Sequence, residues 1–336
     1  MRGAFSFLCE IGYGAMCLLG MILGMRSVLG TSLTRLLGTS IIPQIFFITF
    51  LCFIPETPKY LMITKNNRKK ALKSLNFFQG EKKENDALLD RFSEENKEEA
   101  DLKRSSVKEV VTTWYLLKAV ILGVLVIVLS LSFFPVLQSS TYFFKKANIT
   151  DDLAELWSTL LMVLMSMSSI SGSFLIDRYP RRTLLLLFGS LQMFFLSLFV
   201  LTSSLCNTFE WMQYACLVAM GFFIVVYSMV IGPMSWFISS ELVHQRHRST
   251  VFCLCFTVGN ILIAVTNFLS IPLYEWFGSL AFIPLYIIPS ILSLIYLYFN
   301  LPESRNREPQ EIVAELRGKS KKDELAVEAS LKALNS

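Results

Sequence analysis

Gly232-Pro233-Met234-Ser235-Trp236-Phe237-Ile238-Ser239-Ser240-Glu241-Leu242-Val243-His244-Gln245-Arg246-His247-Arg248 begins inside an apolar run and ends in charge. The run starts near Trp211, is interrupted by Gly232-Pro233, continues through Trp236 and Phe237, and gives way to Glu241, Arg246 and Arg248. Pro233 has no N–H and crowds the preceding turn, so it frees backbone groups that lipid cannot satisfy. A break of this kind at membrane depth needs protein or a cavity beside it. The stretch reads either as a plain packing kink or as a hinge beside a solute path.

Composition agrees with a membrane setting. Hydrophobic residues make up 53% of the 336 residues, 28 of them Phe, and only 17% are charged. An ordinary soluble domain is less apolar and more charged. The charges gather in the stretch after Pro55, in two short basic turns and after Pro302. The net charge of +5 therefore reads as topology, with basic loops facing the cytoplasm, and not as nucleic-acid binding.

Apolar runs near residues 4–25, 36–54, 115–138, 153–176, 183–206, 211–241, 250–271 and 280–301 predict eight spans of an all-α membrane protein. An even number puts Arg2, the loop after Pro55, both basic turns and the tail on the cytoplasmic side. Arg26, Arg35, Lys145 and Lys146 run against that bias, the last two partly balanced by Asp151 and Asp152. Residues 59–111 read as a solvated loop with short helices, because Pro55 and Pro58 stop the preceding helix and the sequence turns polar.

Five stretches at helix ends carry a family signature: RGAF at Arg2, PETPKYL at Pro55, DRYPRR at Asp177, GPMSWFISSEL at Gly232 and LPESRNRE at Leu301. In that order, separated by apolar segments, they resemble the sugar-porter (facilitative glucose transporter) family of the major facilitator superfamily, from its fifth helix to its twelfth. The resemblance implies an incomplete major facilitator fold with a complete C-terminal six-helix half. Residues 1–54 would be the last two helices of the N-terminal half, 55–113 a cytoplasmic loop of short helices, 114–301 the C-terminal half and 302–336 a cytoplasmic tail.

The resemblance also assigns residues. Arg2, Glu56 and Lys59 on one side, and Asp177, Arg178, Arg181, Arg182, Glu241, Arg248 and Glu303 on the other, match a charge network that holds the family's cytoplasmic side shut. Plain anchoring at the interface would need no acids. Trp236 matches the tryptophan that stacks on the sugar ring, beside Gly232 and Pro233, and Asn260 is the remaining polar contact to a solute, or packing glue between helices. Several sugar-binding amides are missing: the family's two glutamines fall on Val128 and Leu129, and its asparagines on Phe134 and Met165. Their loss removes hydrogen bonds of about 0.5–1.5 kcal/mol each. Glu10 stands where the family has a glutamine. A carboxyl there attracts a cation, carries a proton, or sits neutral or snorkelled to the interface.

The reading is therefore a multi-pass protein of the plasma membrane that moves a small polar, sugar-like solute by alternating access, as part of a longer or partnered protein. The alternative is a non-transporting fragment or nutrient sensor that modulates a full-length relative. Expressed alone, the chain is expected to insert without transporting. The expected partners are the solute, the lipid bilayer and a full-length relative, with no nucleic acid. Asn148-Ile149-Thr150 is a glycosylation sequon on the outer side. The seven cysteines read as buried free thiols, and His244 and His247 as surface histidines. No nucleophile–base pair, metal-ligand spacing or phosphate loop is recognisable, so neither enzyme, metal nor cofactor chemistry is expected.

Overall fold

The computed structural model describes residues 2–318 except 26–27, 64, 66, 83–84, 91, 93–105, 148, 207, 210, 306 and 308. The side chains of residues 2–10, 59, 63, 177, 245, 309 and 310 also lie outside the described set. Seven described helices are long and apolar enough to cross a membrane, and a shorter apolar helix covers Ile11–Gly24. That last segment belongs to α1 (Arg2–Gly24), which is long enough to span. The chain is an all-α membrane protein, as expected, and it divides into two compact units: Met1–Ile22 with Ser106–Ser336, and Leu23–Ser105.

In the smaller unit, α2 (Leu33–Phe53) is apolar and has no buried residue, the surface of a helix whose solvent is hydrocarbon. After Pro55 the chain folds into short helices α3 (Pro58–Ile63) and α4 (Arg68–Gln79), and residues 85–90 are helical. The Asn67 side chain accepts from the Lys70 N–H at 3.1 Å and caps α4. Ala71 and Leu75 pack with Leu61 and Leu89 in a small core. Arg68 reaches Asp90 at 2.5 Å and Asp86 at 3.4 Å across its surface.

The larger unit follows a short helix α5 (Val107–Thr112) with a bundle of long helices. The span expected over 115–138 is two helices, α6 (Trp114–Leu129) and α7 (Phe133–Lys146), broken at residues 130–132. Tight turns carry the chain through the break: Ser130 N–H donates to Ile127 O at 2.9 Å and Phe133 N–H to Ser130 O at 3.1 Å. Ser130, Leu131 and Ser132 are all buried, the condition under which irregular backbone survives at this depth. Then come α8 (Asp151–Arg178), α9 (Arg181–Leu205) and α10 (Met212–Val226).

α10 runs through a π-helical turn, Tyr227–Ile231, into α11 (Gly232–Glu241). Pro233 sits in the first turn of α11, where its missing N–H costs little. The widened turn just before it takes up the crowding that the ring imposes on the preceding carbonyls. The predicted interruption is thus a bulge inside a continuous helix. Pro284 and Pro289 repeat the device: a second π turn, Ile283–Ile287, leads into α13 (Ile288–Asn300) with proline at the start of each piece.

α12 (Gln245–Phe277) is longer than the expected span over 250–271, because the polar residues from Gln245 are already helical and Pro272 is accommodated inside. It ends at Gly278, whose φ of 61° a side chain would resist. The early start corrects the reading of the histidines: His247 is buried at 6% exposure, one turn into the helix. The thiols divide as well, since Cys52 and Cys253 are exposed while Cys206, Cys216 and Cys255 are buried. A last helix, α14 (Pro309–Leu316), returns to pack against α6, burying Ile312, Val313 and Leu316.

Candidate functional site

The break in the α6–α7 span and the bulge before α11 meet. Phe133, the first residue after the break in the α6–α7 span, stacks on Tyr227, the first residue of the π turn, with ring centroids 3.9 Å apart and planes 11° off parallel. Gly232 lies under the same tyrosine: a Cβ there would come 3.0 Å from the Tyr227 ring. On the other flank α8 crosses the π turn so closely that a Cβ at Gly172 would fall 2.0 Å from the Met229 carbonyl oxygen. Gly232 and Pro233 are both buried, so they shape this junction from inside.

Trp236 and Asn260 are exposed, and Phe256 links them. The Phe256 ring stacks on the Trp236 indole at 5.0 Å, and its carbonyl accepts from Asn260 Nδ2 at 2.8 Å. Phe252, one turn before Phe256, adds a third ring at 4.3 Å. The result is one aromatic surface with an amide carbonyl oxygen at its edge, suited to a flat C–H face bearing hydroxyls.

Val128, Leu129 and Met165 are buried in the hydrocarbon core and offer a solute nothing polar. An amide nevertheless serves the break. Gln192, fully buried on α9, donates through Nε2 to the Leu129 carbonyl at 3.1 Å and reaches Ser132 Oγ at 3.5 Å. It caps a carbonyl that the end of α6 leaves without a helical partner. Its Oε1 and the nearby Ser130 Oγ are buried without hydrogen-bond partners. In the sequence Gln192 stands out only as a lone amide in an otherwise apolar span.

At the basic end of the larger unit, Arg181 pairs with Glu241, their side chains 17% and 28% exposed. The Arg181 guanidinium also lies 5.2 Å from the Phe237 ring centroid. Glu303 joins this cluster through the backbone. Its carboxylate accepts the backbone N–H groups of Arg181 at 2.9 Å, Arg182 at 3.0 Å and Arg305 at 3.0 Å, and so caps the N-terminus of α9 from another part of the chain. Ser304 donates to Glu241 at 3.0 Å, and Arg305 to the Arg178 carbonyl at 2.5 Å. Ser304 and Arg305, within a motif already noted but not singled out, complete the cluster.

Arg182 Nη2 donates to the Tyr298 carbonyl and Arg248 Nε to the Ser240 carbonyl at 2.9 Å. Glu56 is exposed in the smaller unit, where its carbonyl accepts from Ser74 Oγ. The side chains of Glu10, Arg2, Lys59 and Asp177, and Asn148 as a whole, lie outside the described residues. Away from the broken helices, Tyr142 donates to Glu275 at 3.3 Å, and Lys145 pairs with Asp151 at 3.2 Å. Among the described residues no group of His, Cys, Asp and Glu is placed to hold a metal ion.

Membrane helices disturbed at depth beside buried polar groups recur across transporter folds. The family model for "Sugar (and other) transporter" matches residues 1–316, and the chain belongs to that family. Among curated proteins it is 28% identical over 341 residues to solute carrier family 2, facilitated glucose transporter member 3 of Ovis aries, covering 95% of this chain and 64% of that protein. The Bos taurus protein of the same description is 28% identical over 355 residues, covering 100% and 68%. The chain thus spans about two-thirds of the length of the relatives it matches. Among solved structures, the major facilitator proton:xylose symporter XylE bound to 6-bromo-6-deoxy-D-glucose superposes with a TM-score of 0.65 at 17% identity, over 94% of this chain and 67% of that one. The fold is that of the major facilitator superfamily.

Proposed function

We propose that this chain is the larger part of a plasma-membrane transporter that moves a small polar, sugar-like solute by alternating access. Residues 1–54 end its N-terminal half, 55–113 form the cytoplasmic link, 114–301 the C-terminal half and 302–336 the tail. The solute lies against Trp236 and Phe256, with Asn260 and the broken helices beside it. Helices bent at Ser130–Ser132 and at Tyr227–Ile231 let the path open on either side while the rest of each half moves as a body. The cluster of Arg181, Glu241 and Glu303 holds the basic end shut. The observation that carries the reading is the exposed Trp236–Phe256–Asn260 surface in a chain of the sugar-transporter family.

Hydrocarbon at Val128, Leu129, Phe134 and Met165 argues for a solute gripped by fewer hydrogen bonds than a hexose in the family's usual site. Glu10 adds a titratable group to that path. The test is uptake by the full-length protein in proteoliposomes, against hexoses, pentoses, polyols and organic cations. Saturable uptake should fall by about tenfold in Trp236→Ala, equivalent to roughly 1.4 kcal/mol of lost ring contact. Glu10→Gln should abolish a pH dependence or change the preferred solute. Correctly folded protein that takes up none of the panel would overturn the reading.

A further inference from the structure

Where α2 ends, the smaller unit holds a cavity of about 720 Å³, inside the range of about 300–1,000 Å³ that small-ligand sites span. One wall is Phe53, the last residue of α2 and 77% exposed, on a helix with no buried residue. The end of such a helix marks the level where hydrocarbon gives way to headgroups, so the cavity lies at the bilayer surface.

The facing wall is α4. Lys70, Lys73 and Phe77 follow one another at the spacing that shares one face of a helix, and all three are exposed and line the cavity. The Ser74 hydroxyl donates to the Glu56 carbonyl and ties the turn after α2 to the same helix. Glu56 and Glu81 complete the charged lining. None of the two lysines and two glutamates forms an ion pair with another described residue, whereas Arg68 on the same helix is paired with Asp86 and Asp90. Asn76 adds a donor to the lining: its Oδ1 accepts from Asn85 Nδ2 at 2.8 Å, which leaves its own amide N–H groups for a ligand.

Unpaired charges of both signs suit a ligand that carries both, since a purely anionic one would meet the carboxylates and a purely cationic one the lysines. The aromatic edge at Phe53 and Phe77 adds a demand for hydrocarbon. We propose that the cavity seats the headgroup of an aminophospholipid from the adjoining leaflet. Lys70, Lys73 and the Asn76 amide hold its phosphate, the Glu56 and Glu81 carboxylates accept from its primary ammonium, and its acyl chains leave past Phe53 and Phe77. A choline headgroup has no N–H to give the carboxylates, and a glycerol headgroup has no cation. The seated lipid fastens α4 to the bilayer at the foot of α2.

Native mass spectrometry of the full chain, released from nanodiscs of equimolar dioleoyl phosphatidylethanolamine, phosphatidylcholine and phosphatidylglycerol, tests this independently of transport. The ethanolamine lipid should be retained about tenfold over either of the others. Lys70→Gln with Lys73→Gln should abolish that preference, and Glu56→Gln with Glu81→Gln should remove the advantage over phosphatidylglycerol. Lys69→Gln with Lys82→Gln, at exposed positions outside the cavity, should leave the preference unchanged, which separates the cavity from the general pull of a basic surface. All six positions are exposed, so the variants should fold. Equal retention of the three lipids, or phosphatidylglycerol held tightest, would overturn the proposal. So would a preference that survives in the Lys70 and Lys73 variant, or one lost equally in the Lys69 and Lys82 variant.

Discussion

The ring of Phe133 lies flat on the ring of Tyr227, 3.9 Å between centroids; Phe133 is the first residue beyond the break in its span and Tyr227 the first residue of the π turn in its own. One fault is a run of tight turns and the other is a widened one, and the stacked pair keys them together. Removing either ring leaves a void at the junction and frees both faults. Phe133→Ala and Tyr227→Ala should each destabilise the larger unit by about 3–5 kcal/mol. The double variant should fall short of the sum by about 0.5–1.5 kcal/mol. Thermal unfolding in detergent measures both, and strict additivity would mean that the rings act separately.

Gly172 has a more absolute role. The Met229 carbonyl occupies the place of any Cβ, and it belongs to backbone that cannot rotate aside. Gly172→Ala should push α8 off the π turn and lower the amount of folded protein recovered. Gly12→Ala and Gly20→Ala, where nothing lies within 4 Å, should be recovered at the wild-type level. Size-exclusion yield compared across the three variants decides it.

Glu303 takes three backbone N–H groups on one carboxylate. Glu303→Ala leaves the start of α9 uncapped and should cost about 1–2 kcal/mol. Glu303→Gln, which keeps one accepting oxygen, should cost less. Equal melting temperatures for wild type and Glu303→Ala would show that water replaces the cap without loss.

His244, at the N-cap position of α12, is half-buried, and burial, assisted by the nearby Arg317 charge, holds its pKa below the ordinary value. The unfolded chain takes up a proton near pH about 6.5 that the folded chain refuses. Stability should therefore fall as the pH drops through that value and level off only below the lowered pKa, with no contribution above. His244→Asn should reduce the slope of melting temperature against pH between about 5 and 7. An unchanged slope would assign the dependence to other groups.

The spans were legible because long apolar runs have one solution in lipid, and the family was legible because its motifs sit at helix ends, as charges and prolines. Local signals misled where a distant residue decides the outcome. The apolar run from Tyr115 shows its breaker, Pro135, but the helix breaks ahead of it at Ser130–Ser132, where Gln192, sixty-three residues on from Leu129, accommodates the freed Leu129 carbonyl. Gly232-Pro233 announces a disturbance, but the helix absorbs it one turn earlier, where Tyr227 has Phe133 to lean on. Glu303 reads as a partner for arginine side chains by charge alone; only the approach of the two segments shows it binding backbone. His247 reads as surface because its sequence neighbours are polar, whereas the early start of α12 turns it inward.

The helix after the last span ends on the first turns of α6, with the Arg317 guanidinium 4.3 Å from the Tyr115 ring centroid. A load applied to the tail is therefore delivered to the foot of the helix that breaks at Ser130. A fluorescent reporter fused directly after Leu316 would act as a lever on that foot. For anyone tagging, tethering or cross-linking this protein, α14 is a handle on the larger unit, and the length of linker decides how hard it is pulled.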